Sequence, residues 1–158
     1  MLHHIVATIR TLLDDHAVPY TYLEHEPGRT SKEMAEIRKD FSLAEGAKAL
    51  VLAADTQYIQ VVLPGNARFS DTKLGSVVGA NDIRFVTEQE LERITDGIRP
   101  GAIPPFGNLF QTPLPVYADT TVFINERMVF NCGERTASIA MNPQDYKKIV
   151  QPIEVDIV

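Results

Sequence analysis

Ile5, Ile9, Leu12 and Leu13 recur at helical spacing and predict an amphipathic helix over residues 3 to 16. Pro19 follows its end, and Tyr20 to Leu23 then alternates as a short strand. Pro27-Gly28 marks a turn. Thr30 with Glu33 offers a capping box for a second helix reaching about Arg38. Two apolar runs follow, Ala47 to Ala54 and Tyr58 to Leu63. The gap between them, Ala54-Asp55-Thr56-Gln57, is short and polar. That pattern predicts a central hairpin, which Pro64-Gly65-Asn66 ends.

Residues 71 to 79 read as a short helix closing at Gly79, and Ile83 to Val86 as a strand. Thr87 caps a further helix, with Glu90 three residues on in the box position. Residues 97 to 108 are the least regular stretch. Leu114 to Ala118, Met128 to Asn131 and Thr136 to Met141 are strand-like. Asn142 caps a last helix with Pro143 in its first position. Helices interspersed with short hairpins predict an α/β fold, a single compact domain over residues 1 to 158 with a mixed, mostly antiparallel sheet flanked by helices. No βαβ series with a GxGxxG turn is visible, which argues against a Rossmann domain.

The length suits one hydrophobic core. An apolar fraction of 44% and a charged fraction of 23% are ordinary for a globular chain. No apolar run is long enough to cross a bilayer. The start, Met1-Leu2-His3-His4-Ile5, lacks the basic and apolar regions of a signal peptide. The default expectation is therefore a cytoplasmic protein with no membrane association. The single cysteine, Cys132, excludes an internal disulfide and a multi-cysteine zinc site.

The net charge of −6 argues against a broad duplex binder. The nearest approach to a basic stripe is residues 27 to 48. There Arg29, Lys32, Arg38, Lys39 and Lys48 stand against Glu33, Glu36, Asp40 and Glu45, a pattern that also suits a solvated helix face. This leaves room for a protein that grips only the end of a nucleic acid, or a small molecule.

Three features could carry chemistry. Lys48 heads a strongly apolar strand, so its ammonium either snorkels to solvent or points into a cavity, where it would meet a phosphate or a carboxyl-like oxygen. The Gly101-Ala102-Ile103-Pro104-Pro105 loop is stiffened by two prolines. It is either a rigid crossover or a presenter of backbone N–H and C=O groups to a ligand. Asn131 to Ser138 carries small and polar groups around Gly133, and suits a plain hairpin turn as well as a pocket wall. Nucleophile motifs fail. There is no GxSxG elbow, and all four histidines lie within the first 25 residues, away in sequence from Cys132. Cys132 reads as a core or turn residue, and His25 as a local hydrogen-bonding residue. No metal-ligand or phosphate-loop motif appears, so no metal or cofactor is expected.

Together these features resemble one family. The pattern runs His25, Thr30-Ser31-x-Glu33-x-Ala35, Gly46-Ala47-Lys48-Ala49-Leu50-Val51-Leu52 and Leu63-Pro64-Gly65-Asn66. It continues with Gly97-x-x-x-Gly101-Ala102-x-Pro104-Pro105-Phe106-Gly107 and Asn131-x-Gly133-Glu134-Arg135. That order resembles the YbaK/prolyl-tRNA synthetase-associated domains over nearly the whole chain. The resemblance implies a compact fold around a mixed sheet or a partly closed barrel. It implies an aminoacyl-tRNA deacylase that hydrolyses the ester of a mischarged tRNA, tRNA for proline carrying a small amino acid.

The partners it implies are the aminoacyl-tRNA 3′ end and prolyl-tRNA synthetase. By the same resemblance Lys48, Gly101 and Ala102 are the catalytic residues. Thr30, Pro105, Phe106, Asn131, Gly133, Arg135 and Ser138 are substrate-binding. Ala49 stands where members specific for cysteine carry Thr and those specific for alanine carry Asn. Ser138 stands where an acidic residue is common. The amino acid removed and the oligomeric state stay open. A non-catalytic module that binds a nucleotide or tRNA end, and a small-molecule esterase, are the alternative readings.

Overall fold

The computed structural model describes all residues from Met1 to Val158. The chain opens with α1 (His4–Asp15), β1 (Tyr20–Glu24) and α2 (Ser31–Ile37). The central hairpin is β2 (Ala47–Ala54) and β3 (Gln57–Pro64). Then come α3 (Asp71–Val78), the short β4 (Ile83–Phe85) and α4 (Glu88–Thr95). The C-terminal part holds β5 (Val116–Asp119), β6 (Met128–Glu134), β7 (Ala137–Met141), α5 (Pro143–Val150) and β8 (Ile153–Val155). No helix is long and apolar enough to cross a membrane.

The hairpin pairs antiparallel from Ala47 opposite Pro64 to Ala54 opposite Gln57. Its turn needs one left-handed residue, and Asp55 supplies it at φ 53°. The Asp55 carboxylate then accepts from the Asn81 and Asp82 amides, which ties the turn to the start of β4. The five-stranded sheet runs β4-β2-β3-β5-β8, antiparallel through β4, β2 and β3 and parallel through β3, β5 and β8. A second, antiparallel sheet of three strands runs β1-β7-β6. The mixed, mostly antiparallel expectation holds. The strands divide into two sheets and form no closed barrel. A single bridge at Gly46 and Val129 joins them, where the Val129 amide donates to the Glu45 carbonyl at 2.9 Å. β8 escaped the sequence reading because three residues, two of them exposed, carry too little periodicity.

Helix ends follow the predicted caps with one shift. Thr87 and Glu90 form the full box at the head of α4. At α2, Thr30 accepts from the Glu33 amide at 3.0 Å, but the Glu33 carboxylate takes the Arg29 amide at 2.7 Å instead of the cap's own. Gly79 ends α3 in the left-handed conformation at φ 75°. The main core lies between the sheets and gathers Ile5, Ile9 and Leu13 of α1 with Phe106, Phe130, Ile139 and Tyr146. A smaller cluster covers the other face of the hairpin. It holds Leu52, Ile59, Val61 and Leu63 under Leu74 of α3. With both faces buried, β3 reads as a continuous apolar run.

Candidate active site

A cavity of about 420 Å³ opens where α2, the head of β2, the β4–α4 junction and the loop after α4 converge. That volume suits a small ligand or the end of a larger one. Thr30, Lys48, Gly101 and Asn131 line it, four of the residues singled out from sequence. Ala102, Pro105, Phe106, Gly133, Arg135 and Ser138 do not, and each has other partners. Phe106 is fully buried against Phe130 and Tyr146, with ring centroids 5.6 and 5.5 Å apart. Gly133 sits at φ 119°, and a Cβ there would collide with Ile5 of α1. Its missing side chain lets a helix approach.

The loop is held from below, carbonyl by carbonyl. Arg135 donates twice to the Pro100 carbonyl, at 2.9 and 2.6 Å. The Asn131 amide donates to the Gly101 carbonyl. The Gly133 N–H takes the Ala102 carbonyl at 2.9 Å. Gln60, fully buried in β3, donates to the Pro104 carbonyl at 2.9 Å and accepts from the Gly107 amide at 2.8 Å. The Tyr146 hydroxyl donates to the Pro105 carbonyl. Ala102 is committed at both ends, since its own amide donates to Arg99 at 3.0 Å. The amides of Gly101 and Ile103 have no partner within the chain, and both residues line the cavity. Five anchored carbonyls thus fix a loop that leaves two backbone donors free. Gly101 adopts φ 85°, open to glycine and strained for other residues.

Behind Asn131 stands a second row. The Ser138 hydroxyl lies 3.2 Å from Asn131 Oδ1 and 2.6 Å from His25 Nε2, and His25 Nδ1 is 2.8 Å from the Glu26 carbonyl. A carbonyl only accepts, so Nδ1 carries a proton. The pair has the connectivity of a nucleophile and its base, yet Ser138 is fully buried and outside the cavity lining. The hydroxyl has one proton for two acceptors, His25 Nε2 and Asn131 Oδ1, and when it donates to Oδ1 it braces Asn131, and through it Gly101. Cys132 is also fully buried, and burial pushes its thiol up to about 12. A thiol so placed is not a nucleophile near neutral pH.

The cavity is cationic although the chain is acidic. Arg29, Arg38 and Lys48 line it against Glu88 alone, within a net charge of −6. Burial first, and then neighbouring Arg68, pushes the Lys48 ammonium below the ordinary lysine range. Burial pushes the Arg38 guanidinium down to about 10. Neither forms an ion pair. Arg38 has only two long contacts, to the Met34 carbonyl at 3.5 Å and Ser138 Oγ at 3.4 Å. Uncompensated cations in a cleft attract an anionic ligand.

Sequence reasoning missed Gln60 and Arg38. A polar residue inside the apolar run of β3 was the available signal for Gln60. Arg38 was visible only as one charge among nine.

A family profile described as an aminoacyl-tRNA editing domain matches residues 25–149. Among curated proteins, the proline–tRNA ligase of Staphylococcus saprophyticus is 30% identical over 116 residues, 73% of this chain and 20% of that protein. The proline–tRNA ligase of Ralstonia pickettii is 31% identical over 115 residues, 70% of this chain and 20% of that protein. The chain thus spans about a fifth of the length of these relatives. Among solved structures, one described as a candidate trans-editing enzyme for prolyl tRNA synthetase superposes with a TM-score of 0.81 at 22% identity. It covers 99% of this chain and 98% of the other. A hypothetical protein superposes with a TM-score of 0.83 at 18% identity, over 94% of this chain and 97% of its own. At these identities the two structures share the fold.

Proposed function

The chain belongs to the aminoacyl-tRNA editing domain family, and on that premise we propose that it is a deacylase acting on the 3′ end of mischarged tRNA for proline. The observation that carries this reading is the pairing of an anion-attracting cavity with a loop of free backbone donors. Lys48 and Arg38 hold the phosphate-bearing end of the tRNA, and the aminoacyl ester lies against Gly101 to Ile103. Water attacks the ester carbonyl carbon, and the bond from that carbon to the ribose oxygen breaks. The ribose oxygen leaves with a proton, so the products are a free amino acid and an uncharged tRNA end. Negative charge builds on the carbonyl oxygen during attack, and the Gly101 and Ile103 amides are the donors placed to meet it. One pre-positioned donor of this kind is worth about 3 kcal/mol of barrier.

The buried thiol and buried serine support direct attack by water over an acyl-enzyme. The substrate's own ribose hydroxyl is the group nearest the leaving oxygen, and assists proton transfer. The similarity to proline–tRNA ligases supports tRNA for proline as the substrate and a synthetase as partner. Deacylation of a panel of mischarged tRNAs by wild type and Lys48→Ala tests the proposal. Wild type should release a small amino acid, and Lys48→Ala should lose at least tenfold in kcat/KM, the scale of one charge-assisted contact. Equal rates for both proteins on every hydrolysed substrate would remove Lys48 from the mechanism. Binding without turnover would make the domain a non-catalytic module.

A further inference from the structure

Of seven phenylalanines, Phe85 alone is exposed, at 61%. It ends β4, the edge strand of the larger sheet, and lines the cavity at its rim. An exposed aromatic on a sheet edge is a liability that a fold does not need. Phe85 pairs opposite Leu52 in β2, and residues directly opposite share a face. Lys48, Leu50 and Leu52 alternate onto that same face. Phe85 and Lys48 therefore point to one side of the sheet, about 13 Å apart along the strand at roughly 3.3 Å per residue. Arg68, the neighbour that depresses Lys48, adds a second cation there. Phe69 braces the Phe85 ring from behind, its centroid 6.2 Å away and its plane tilted 53°.

We propose that Phe85 is a stacking platform for an unpaired nucleobase, so that the cavity takes a single-stranded nucleotide end, with phosphate at Lys48 and base on Phe85. This rests on the editing reading and deepens it by naming how the nucleic-acid part is held. Cations tracking a backbone beside an open aromatic are the chemistry of single-strand recognition, and every base has a face to stack. Charge complementarity singles out this occupant, because the cavity that Phe85 borders holds Arg29, Arg38 and Lys48 without ion pairs, against Glu88 alone.

The chain has no tryptophan, so Phe85→Trp places a sole indole at the site. Titration of that variant with the trinucleotide CCA should quench its fluorescence. The same trinucleotide lacking its terminal base should bind at least fivefold more weakly. In parallel, Phe85→Ala should raise KM for aminoacyl-tRNA about tenfold with kcat little changed, a loss that Phe85→Trp restores. Its urea midpoint should stay at the wild-type value, since the side chain is exposed.

Equal binding of the two trinucleotides, or an unchanged KM in Phe85→Ala, would overturn the platform while leaving deacylation intact. A wild-type dimer that Phe85→Ala converts to monomer would also overturn it, in favour of a second copy on the edge strand. Quenching by CCA in a protein that hydrolyses nothing would uphold the platform and sink the editing reading instead.

Discussion

Replacing Gln60 by Met removes one buried amide of nearly the same volume and keeps the packing, so the cavity term is small. Two hydrogen bonds disappear together, to the Pro104 carbonyl at 2.9 Å and from the Gly107 amide at 2.8 Å. Pro104 and Gly107 are themselves buried, so water does not replace the lost partners. An unsatisfied buried polar group costs about 1–3 kcal/mol, and two of them cost roughly 2–6 kcal/mol. That is a large share of the 5–15 kcal/mol typical of a domain. Urea denaturation followed by circular dichroism measures the loss. Amide exchange at Gly107 reports whether this loop is where it arises.

The same substitution frees the loop to shift, and a displacement of about 1 Å at reacting groups costs on the order of a hundredfold in rate. Deacylation should therefore fall by more than the unfolded fraction explains. A loss below about 1 kcal/mol with wild-type exchange at Gly107 would refute the pinning of the loop. Lost stability with full activity in the folded fraction would refute its part in catalysis.

Arg38→Met should stabilise the protein by about 1–3 kcal/mol, because burial holds the guanidinium at about 10, below the ordinary arginine range. It should also weaken tRNA binding, and thermal melts with binding titrations read the two effects. The sign follows from linkage. The folded state holds the proton less tightly, so the penalty is fully present below pH 10 and fades as pH rises from about 10 towards the ordinary arginine range. Lys48 must be charged to hold an anion, and its pKa is depressed. KM for aminoacyl-tRNA should thus rise on the alkaline side before an ordinary lysine would titrate, and Lys48→Met should flatten that limb in a pH profile. Gly133→Ala should cost roughly 2–4 kcal/mol, from the positive φ and the collision with Ile5, as urea midpoints would show. Cys132 should resist thiol reagents at pH 8 in the native protein and react on unfolding, because its pKa stands at about 12.

The hairpin, α1, α4 and α5 were legible because their signals are local: apolar runs, a 3.6-residue stripe, capping residues at fixed offsets. The division into two sheets was not. It depends on which edges find each other, with β7 pairing β1 and β6 while β3 pairs β2 and β5, and local pattern does not encode that choice. Of the residues chosen by pattern, Lys48 and Gly101 reach the cavity because one heads a strand and the other a turn that both open on it. Phe106 and Gly133 carry the same motif but are occupied with packing, a distinction that needs tertiary contacts. His25 and Ser138 are far apart in sequence, so their pairing across β1 and β7 was invisible until the register was known.

The most direct test is the rate of amino-acid release from tRNA for proline carrying alanine, cysteine or proline, with the protein at single-turnover excess. A small non-cognate residue should be released well above the spontaneous rate, with prolyl-tRNA left intact. Spontaneous rates for every charged species would contradict the editing reading.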